Sequence, residues 1–267
     1  MTRCAATSAT SGPRAERCAT AEIDLDRLAA GYAHRRVGDA ARRRAARTGE
    51  RAGLKPGSVA VDVGGGRGEH AAVFAQVGAR ALVVDRSPAM ARAAIERGVA
   101  AVVGDGRHLP LQPGTADLVY FHVCLHYGGW EEMLAEAARV VRPGGLVAAW
   151  TFARDHFRHS LLGRWFPSIV RIDEARFPHP DLLVARMWNL GLEEVAQVAE
   201  TETVSRNAAD WEAAVRAGFV STLQLLDSAE LEAGLARFHQ EHPDPGEVLH
   251  YRLWYRGVSG RRPRTAG

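Results

Sequence analysis

Val61-Asp62-Val63-Gly64-Gly65-Gly66-Arg67-Gly68 passes, within one short stretch, from β-forming residues to a run of glycines that neither a strand nor a helix favours. Residues 58–63 read as an apolar strand and residues 69–77 as a helix, so the glycines occupy the turn between them. Outward from that turn the alternation repeats. Residues 81–85 form a second strand, and Ser87 and Pro88 supply an N-cap and a first-turn proline for a helix that Gly98 closes. Residues 101–104 are a third strand and residues 117–121 a fourth. Residues 130–141 carry Met133, Leu134, Ala137, Val140 and Val141 at helical spacing. Arg142-Pro143-Gly144-Gly145 then turns into a fifth strand over residues 146–152. Strands this apolar, separated by helices, predict an α/β fold with a doubly wound parallel sheet covered on both faces.

Flanking segments differ. Residues 1–20 are rich in Ser, Thr, Ala and Gly without periodicity and read as a disordered tail. Residues 23–52 carry one helical pattern. Beyond residue 152 the rhythm changes to bulky aromatics over residues 155–172, helices at 178–190, 208–217 and 228–240, and a strand at 192–204. The last strand, 248–255, alternates apolar and polar residues, as an edge or antiparallel strand does. This divides the chain into a tail, N-terminal helices at 21–53 and a domain running to residue 267, with an inserted lid or acceptor segment at about 153–240.

Composition excludes several classes. Among 267 residues no apolar run approaches the ~20 needed to cross a bilayer. The first residues lack the apolar core of a secretory signal. Cys4, Cys18 and Cys124 make neither a disulfide framework nor a zinc site, which points to a reduced, cytoplasmic protein. Of 34 Lys and Arg only Lys55 is lysine, and a net charge of +3 gives weak steering toward nucleic acid. Oligomeric state is not legible.

The glycine spacing selects a ligand. A dinucleotide loop needs G-x-G-x-x-G, but the sixth position counted from Gly64 is Glu69, a carboxylate where a diphosphate would lie. The chain instead has Gly64, Gly66 and Gly68 at alternate positions, with Asp62 upstream, which favours a ligand without a diphosphate and with a cationic part. Asp85 ends the second strand, where a carboxylate accepts ribose hydroxyls. Asp105, in Gly104-Asp105-Gly106, stands at the third strand tip, either receiving an adenine amino group or simply making an Asp-Gly turn. Met90 reads equally as adenine wall or as core. A nucleoside held by carboxylates beside a cation suggests S-adenosylmethionine.

On these residues the chain resembles the class I S-adenosylmethionine-dependent methyltransferases over residues 58–152. The segment 62–68 is similar to their glycine-rich motif, with Gly65 where a cysteine is frequent. Val84-Asp85-Arg86-Ser87-Pro88-Ala89-Met90, Gly104-Asp105-Gly106-Arg107-His108-Leu109-Pro110, the run 117–126 ending in Leu125-His126, and Arg139-Val140-Val141-Arg142-Pro143-Gly144-Gly145 resemble four further segments in the same order. The resemblance implies a Rossmann-like sheet of seven strands, mostly parallel with the last antiparallel, plus helical additions. It implies that Asp62 and Gly64, Gly65, Gly66 and Gly68 hold the methionine part, Asp85 and Arg86 the ribose side, Met90, Asp105 and Gly106 the adenine, and Phe121 and His122 the region near the sulfonium. The strand-four segment lacks the Asn-Pro-Pro-Tyr or Asp-Pro-Pro-Tyr tetrad of base and amide N-methyltransferases, and the late helices resemble small-molecule and quinone-type enzymes.

His126 admits two readings, a general base with an ordinary pKa near 6.5 or a structural imidazole. His122, Cys124 and His126 fall short of a four-ligand metal site. Arg35, Arg36 and Arg206 are candidates for pairing an acidic acceptor. Three other functions stay open: cofactor binding without catalysis, RNA methylation, and a nicotinamide dehydrogenase, which Glu69 opposes.

Overall fold

A computed structural model describes residues 23–34 and 38–264. The expected tail, Cys4, Cys18, Arg35 and Arg36 lie outside the described residues. Strands β1 (Val59–Val63), β2 (Arg80–Asp85), β3 (Ala100–Val103), β4 (Ala116–His122), β5 (Val141–Phe152), β6 (Glu193–Asn207) and β7 (Val248–Arg261) form a seven-stranded sheet in the order β3-β2-β1-β4-β5-β7-β6. The first five pair in parallel, and β7 runs antiparallel between β5 and β6. β7 is therefore interior and β6 is the edge, because β7 exchanges its ladder bonds with both neighbours. Strand order reverses between β1 and β4, the place where such sheets open a crevice at the strands' carboxyl ends.

Strand alternation sends side chains to two cores. Val61, Val63, Val119, Phe121 and Val147 face α5 (Trp130–Val140) and α9 (Pro180–Asn189), which contribute Leu134, Ala137, Leu183 and Met187. Ala60, Leu118, Tyr120, Ala148 and Trp150 face α2 (Asp39–Ala52) and α3 (Glu69–Gln76), with Ala45, Ala52 and Phe74. The expected long N-terminal helix is broken: α1 (Leu25–Gly31) starts at Asp24, whose carboxylate accepts the Asp26 and Arg27 amides, and is separate from α2. α4 (Pro88–Glu96) starts as read, with the Ser87 hydroxyl accepting the Met90 amide.

The segment at about 153–240 is built of several elements. α6 (Arg154–His159), α7 (Leu161–Trp165) and α8 (Pro167–Arg176) follow β5, whereas α9 lies on the sheet and β6 belongs to it. α7, α8, α10 (Ala208–Arg216) and α11 (Ser228–Glu241) enclose a separate core of Trp165, Phe166, Ile169, Trp211, Leu235 and Phe238. Phe238 stacks on Trp211 with centroids 4.2 Å apart. Among the described residues no helix is long and apolar enough to cross a membrane.

Gly234 lets α11 approach this core: a Cβ there would stand 2.3 Å from Phe166 Cε1 and 2.7 Å from the Trp165 carbonyl. Glycine to alanine ordinarily favours a helix, but overpacking reverses the sign here. Gly234→Ala is expected to lower stability by about 1–3 kcal/mol in urea unfolding; a stabilised variant would contradict this packing.

Candidate active site

The glycine turn leaves β1 and is tied to the tip of β2. The Gly64 amide donates to the Val84 carbonyl at 2.8 Å, and the Gly66 amide to Asp85 Oδ2 at 2.9 Å. Gly64 and Gly66 have φ of 63° and 55°, values that side-chain-bearing residues rarely adopt. A Cβ on Gly64 would lie 2.6 Å from Cys124 Cβ, but one on Gly66 would meet nothing nearer than Met90 Sδ at 3.8 Å. The space over Gly66 is thus an open cradle that a side chain would fill. Gly68 and Gly106 are closely packed on their Cβ side, where a Cβ would fall against Ala94 at 3.2 Å and Val63 at 2.7 Å.

Three carboxylates stand at successive strand tips in different states. Asp62 is fully buried, and neither of its oxygens has a partner at good hydrogen-bond geometry, the Ala71 amide standing near without closing a full bond. Gly65 backs directly onto it, its Cβ position 2.6 Å from Asp62 Oδ2. Burial pushes the Asp62 pKa up to about 8, offset in part by the Ala71 amide, while the Asp85 and Glu69 charges raise it further. Tyr120, opposite Asp62 in the β1–β4 register, also keeps its hydroxyl buried without a partner. Asp85 accepts the Ser87 amide on Oδ1 and the Gly66 amide on Oδ2, both at 2.9 Å. Burial raises its pKa against those two amides. An ionised carboxylate has about four acceptor sites, so roughly two remain. Asp105 is gripped by Arg107 through contacts of 2.6–3.1 Å, and these bonds hold its pKa down at about 2.

Two cavities meet at this turn. A smaller one of about 70 Å³ is lined by Asp85, Arg86, Met90, Asp105 and Gly106, under Leu25 and Leu28 of α1. A larger one of about 550 Å³ extends past Glu69, His122 and His126 to the helices after β5. Tyr32, Gly64, Gly66, Val123 and Tyr127 line both. Val123 has φ of 53° there, a strained value for a β-branched residue, and its amide is held by the Trp150 carbonyl at 2.8 Å.

The structure thus brings together Gly64, Gly66, Asp85, Arg86, Met90, Asp105 and Gly106 around the smaller cavity, with Gly65, His122 and His126 on the larger. Asp62 lies beneath the turn and Gly68 behind it. Phe121 is fully buried and its side chain lines neither cavity, because alternation along β4 points it with Val119 into the α5 core. Arg206 lines the larger cavity, donates to the His34 carbonyl and lies over Phe219. His126 stacks on Phe177 with centroids 4.1 Å apart. The Cys124 thiol donates to the Val63 carbonyl at 3.1 Å, and burial pushes its pKa up. Among the described residues no group of three or more potential ligands gathers around a metal position.

Arg44 escapes a sequence reading, since Arg42-Arg43-Arg44 looks like a solvated run. Its side chain is wholly buried; Nη2 pairs with Glu200 at 2.9 Å and Glu202 at 3.2 Å, and Nη1 meets His122 Nε2 at 3.1 Å. The guanidinium also lies 3.9 Å from the Tyr255 ring centroid. Arginine only donates, so His122 Nε2 accepts and the imidazole is fixed as its Nδ1–H tautomer. The available signal was helical spacing, which puts Arg44 on the buried face with Ala41, Ala45 and Thr48.

Residues 61–149 match the methyltransferase domain family. A demethylmenaquinone methyltransferase of Corynebacterium kroppenstedtii is 36% identical over 100 residues, covering 37% of this chain and 44% of that protein. One from Corynebacterium glutamicum is 35% identical over 108 residues, covering 40% and 47%. The match therefore spans less than half the length of these relatives. Phosphoethanolamine N-methyltransferase 2 of Haemonchus contortus, solved with S-adenosyl-L-methionine, superposes with a TM-score of 0.52 at 18% identity over 83% of this chain and 53% of that one. The [4+2]-cyclase SpnF superposes at 0.55 and 19% over 85% and 83%. These two share the fold and carry different activities, so the fold alone does not fix the reaction.

Two expectations follow from the buried charges. Because the folded Asp62 pKa lies above its ordinary 3.8, the native state holds the proton more tightly, and stability falls as pH rises from about 4 to about 8. The slope is at most about 1.4 kcal/mol per pH unit. Asp62→Asn is expected to flatten that slope in urea titrations run across this range; parallel curves for variant and wild type would refute the burial cost. Arg44→Met strands Glu202, leaves Glu200 with Arg47 alone, and should cost about 3–5 kcal/mol in the same measurement, with a near-neutral result excluding the buried ion pair as a structural tie.

Proposed function

We propose that this chain, whose residues 61–149 are a class I methyltransferase domain, transfers the methyl group of S-adenosylmethionine to a small apolar acceptor. The observation that carries this reading is the buried, unpartnered Asp62 carboxylate beneath a glycine turn whose outer side is an open cradle at Gly66. An orphaned buried carboxylate suits a ligand with a cationic part and repels a diphosphate, as Glu69 at the cavity wall also does. The chain's residues fit that cofactor. Asp62, held largely protonated at neutral pH by its burial, supplies negative charge below the methionine end once a cationic group draws its pKa down. The two remaining acceptor sites of Asp85 suit the ribose hydroxyls, and Met90 and Gly106 wall the adenine side with Asp105 at its rim.

When bound, S-adenosylmethionine supplies a methyl group already activated on sulfur. The protein's task is then alignment and exclusion of water, and alignment by itself is worth up to roughly 7–11 kcal/mol. Gly64, Gly66 and Val123, shared by both cavities, stand between cofactor and acceptor. The larger cavity receives the acceptor between α2, β6, β7 and the helices after β5. Its volume of about 550 Å³ and its aromatic walls suit a ring-bearing molecule, in keeping with the relatives named for demethylmenaquinone. His126 shapes that wall: its Nε2 faces the Ser221 hydroxyl at 3.4 Å and its ring is clamped on Phe177, which favours the positioning role over proton abstraction at that nitrogen.

Calorimetry with S-adenosylhomocysteine is the direct test. Wild type should bind it and NAD should not compete. Asp85→Ala removes a charged acceptor and loosens the turn, for an expected loss of roughly 10- to 100-fold in affinity. Gly66→Val should abolish binding with an unchanged circular dichroism spectrum. Absence of heat from the wild-type protein at millimolar ligand would end this reading.

A further inference from the structure

On the far wall of the larger cavity, α8 and the helical turn at Ser221–Leu225 build a polar cluster that the cofactor reading does not use. The Thr222 hydroxyl donates to Asp173 Oδ1 at 2.6 Å. Arg176, 3.7 Å from that same oxygen, donates through Nη1 to Thr222 Oγ1 at 2.9 Å and through Nη2 to Ser221 Oγ at 3.1 Å. Since arginine only donates, Ser221 accepts from it, and the Ser221 hydroxyl also meets His126 Nε2 at 3.4 Å. Asp173 lines the cavity, and its Oδ2 takes part in none of these bonds. Phe157, Leu161, Ile169, Phe177, Phe219 and Val220 line the same cavity.

We propose that Asp173 Oδ2 receives a hydrogen bond from a hydroxyl on the acceptor, making Asp173 the residue that selects hydroxylated, otherwise apolar aromatic acceptors. The inference rests on the larger cavity being the acceptor site. Charge decides between a hydroxyl and an amine. Asp173 and Arg176 already compensate each other, so an ammonium group would bury a surplus charge, whereas a neutral hydroxyl meets the carboxylate without one. Burial raises the Asp173 pKa to about 6, opposed by Thr222 and Arg176, which leaves the group ionised and able only to accept at neutral pH.

Binding of four probes of one ring size, 1-naphthol, 1-methoxynaphthalene, naphthalene and 1-naphthylmethylamine, is to be measured at pH 7.5 by calorimetry with S-adenosylhomocysteine present. Wild type should prefer 1-naphthol over 1-methoxynaphthalene, which cannot donate, by roughly 10-fold, the size of one hydrogen bond to a charged acceptor. Asp173→Asn keeps an oxygen for Thr222 and turns a donor toward the cavity, so the preference should vanish or invert. Thr222→Val leaves Oδ2 in place and should retain it. Equal wild-type affinity for the two probes, tighter binding of the ammonium probe, failure of 1-naphthol to bind at millimolar concentration, or an unchanged preference in Asp173→Asn would each overturn the proposal. S-adenosylhomocysteine affinity, read in the same cell, reports separately on the cofactor site, so loss of one reading is distinguishable from loss of the other.

Discussion

An aspartate carboxylate held in the interior without a hydrogen bond costs folding free energy at neutral pH, and the rest of this molecule is arranged so that Asp62 stays there. Its strand, β1, is flanked by β2 and β4 at the centre of the sheet, and its side chain lies under Gly65, where no other residue would leave room. The glycine turn is in turn fixed by Asp85, which spans the Gly66 and Ser87 amides. A partly satisfied polar site of this kind is destabilising by itself and becomes favourable once a cation neutralises it. The cost and the proposed binding energy are two aspects of one arrangement.

A second constraint holds the larger cavity. Arg44 reaches from α2 to Glu200 and Glu202 on β6 while Arg47 also pairs with Glu200, so the N-terminal helices are tied to the sheet's edge across the larger cavity. The same guanidinium sets the His122 tautomer at the tip of β4. Cavity shape and imidazole state at the cofactor end therefore depend on one buried cation. The separate core around Trp165, Trp211 and Phe238 gives the opposite wall its own rigidity, so the Asp173 cluster is carried on packed elements.

Much of this was legible in the order of residues. The βα alternation, the glycine turn, the Ser87–Pro88 helix start and the carboxylates at strand ends depend on local spacing, and each lies where its spacing placed it. Local rules fail where contacts are distant in sequence. β7 looked like a possible edge because alternation reports one polar face and says nothing of how many neighbours a strand has. The resemblance put Phe121 and His122 together near the sulfonium, yet adjacent strand residues point to opposite faces, and only His122 lines the larger cavity. Within the segment 153–240, spacing showed a helix and a strand but not that α9 packs on the sheet and β6 extends it.

The sequence by itself determined the sheet class, the position of the glycine turn and the absence of a dinucleotide glycine spacing, because glycine freedom, helix starts and residue spacing act over a few residues. Only the tertiary structure decided that Arg44 is interior, that Arg107 occupies Asp105, that Asp62 has no partner, and that Asp173, Ser221, Thr222 and His126 share one wall. Burial and ion pairing depend on which surfaces close over which residues, and in this chain the deciding pairs, such as Arg44 with Glu200, are brought together by the strand order rather than by the spacing of any motif.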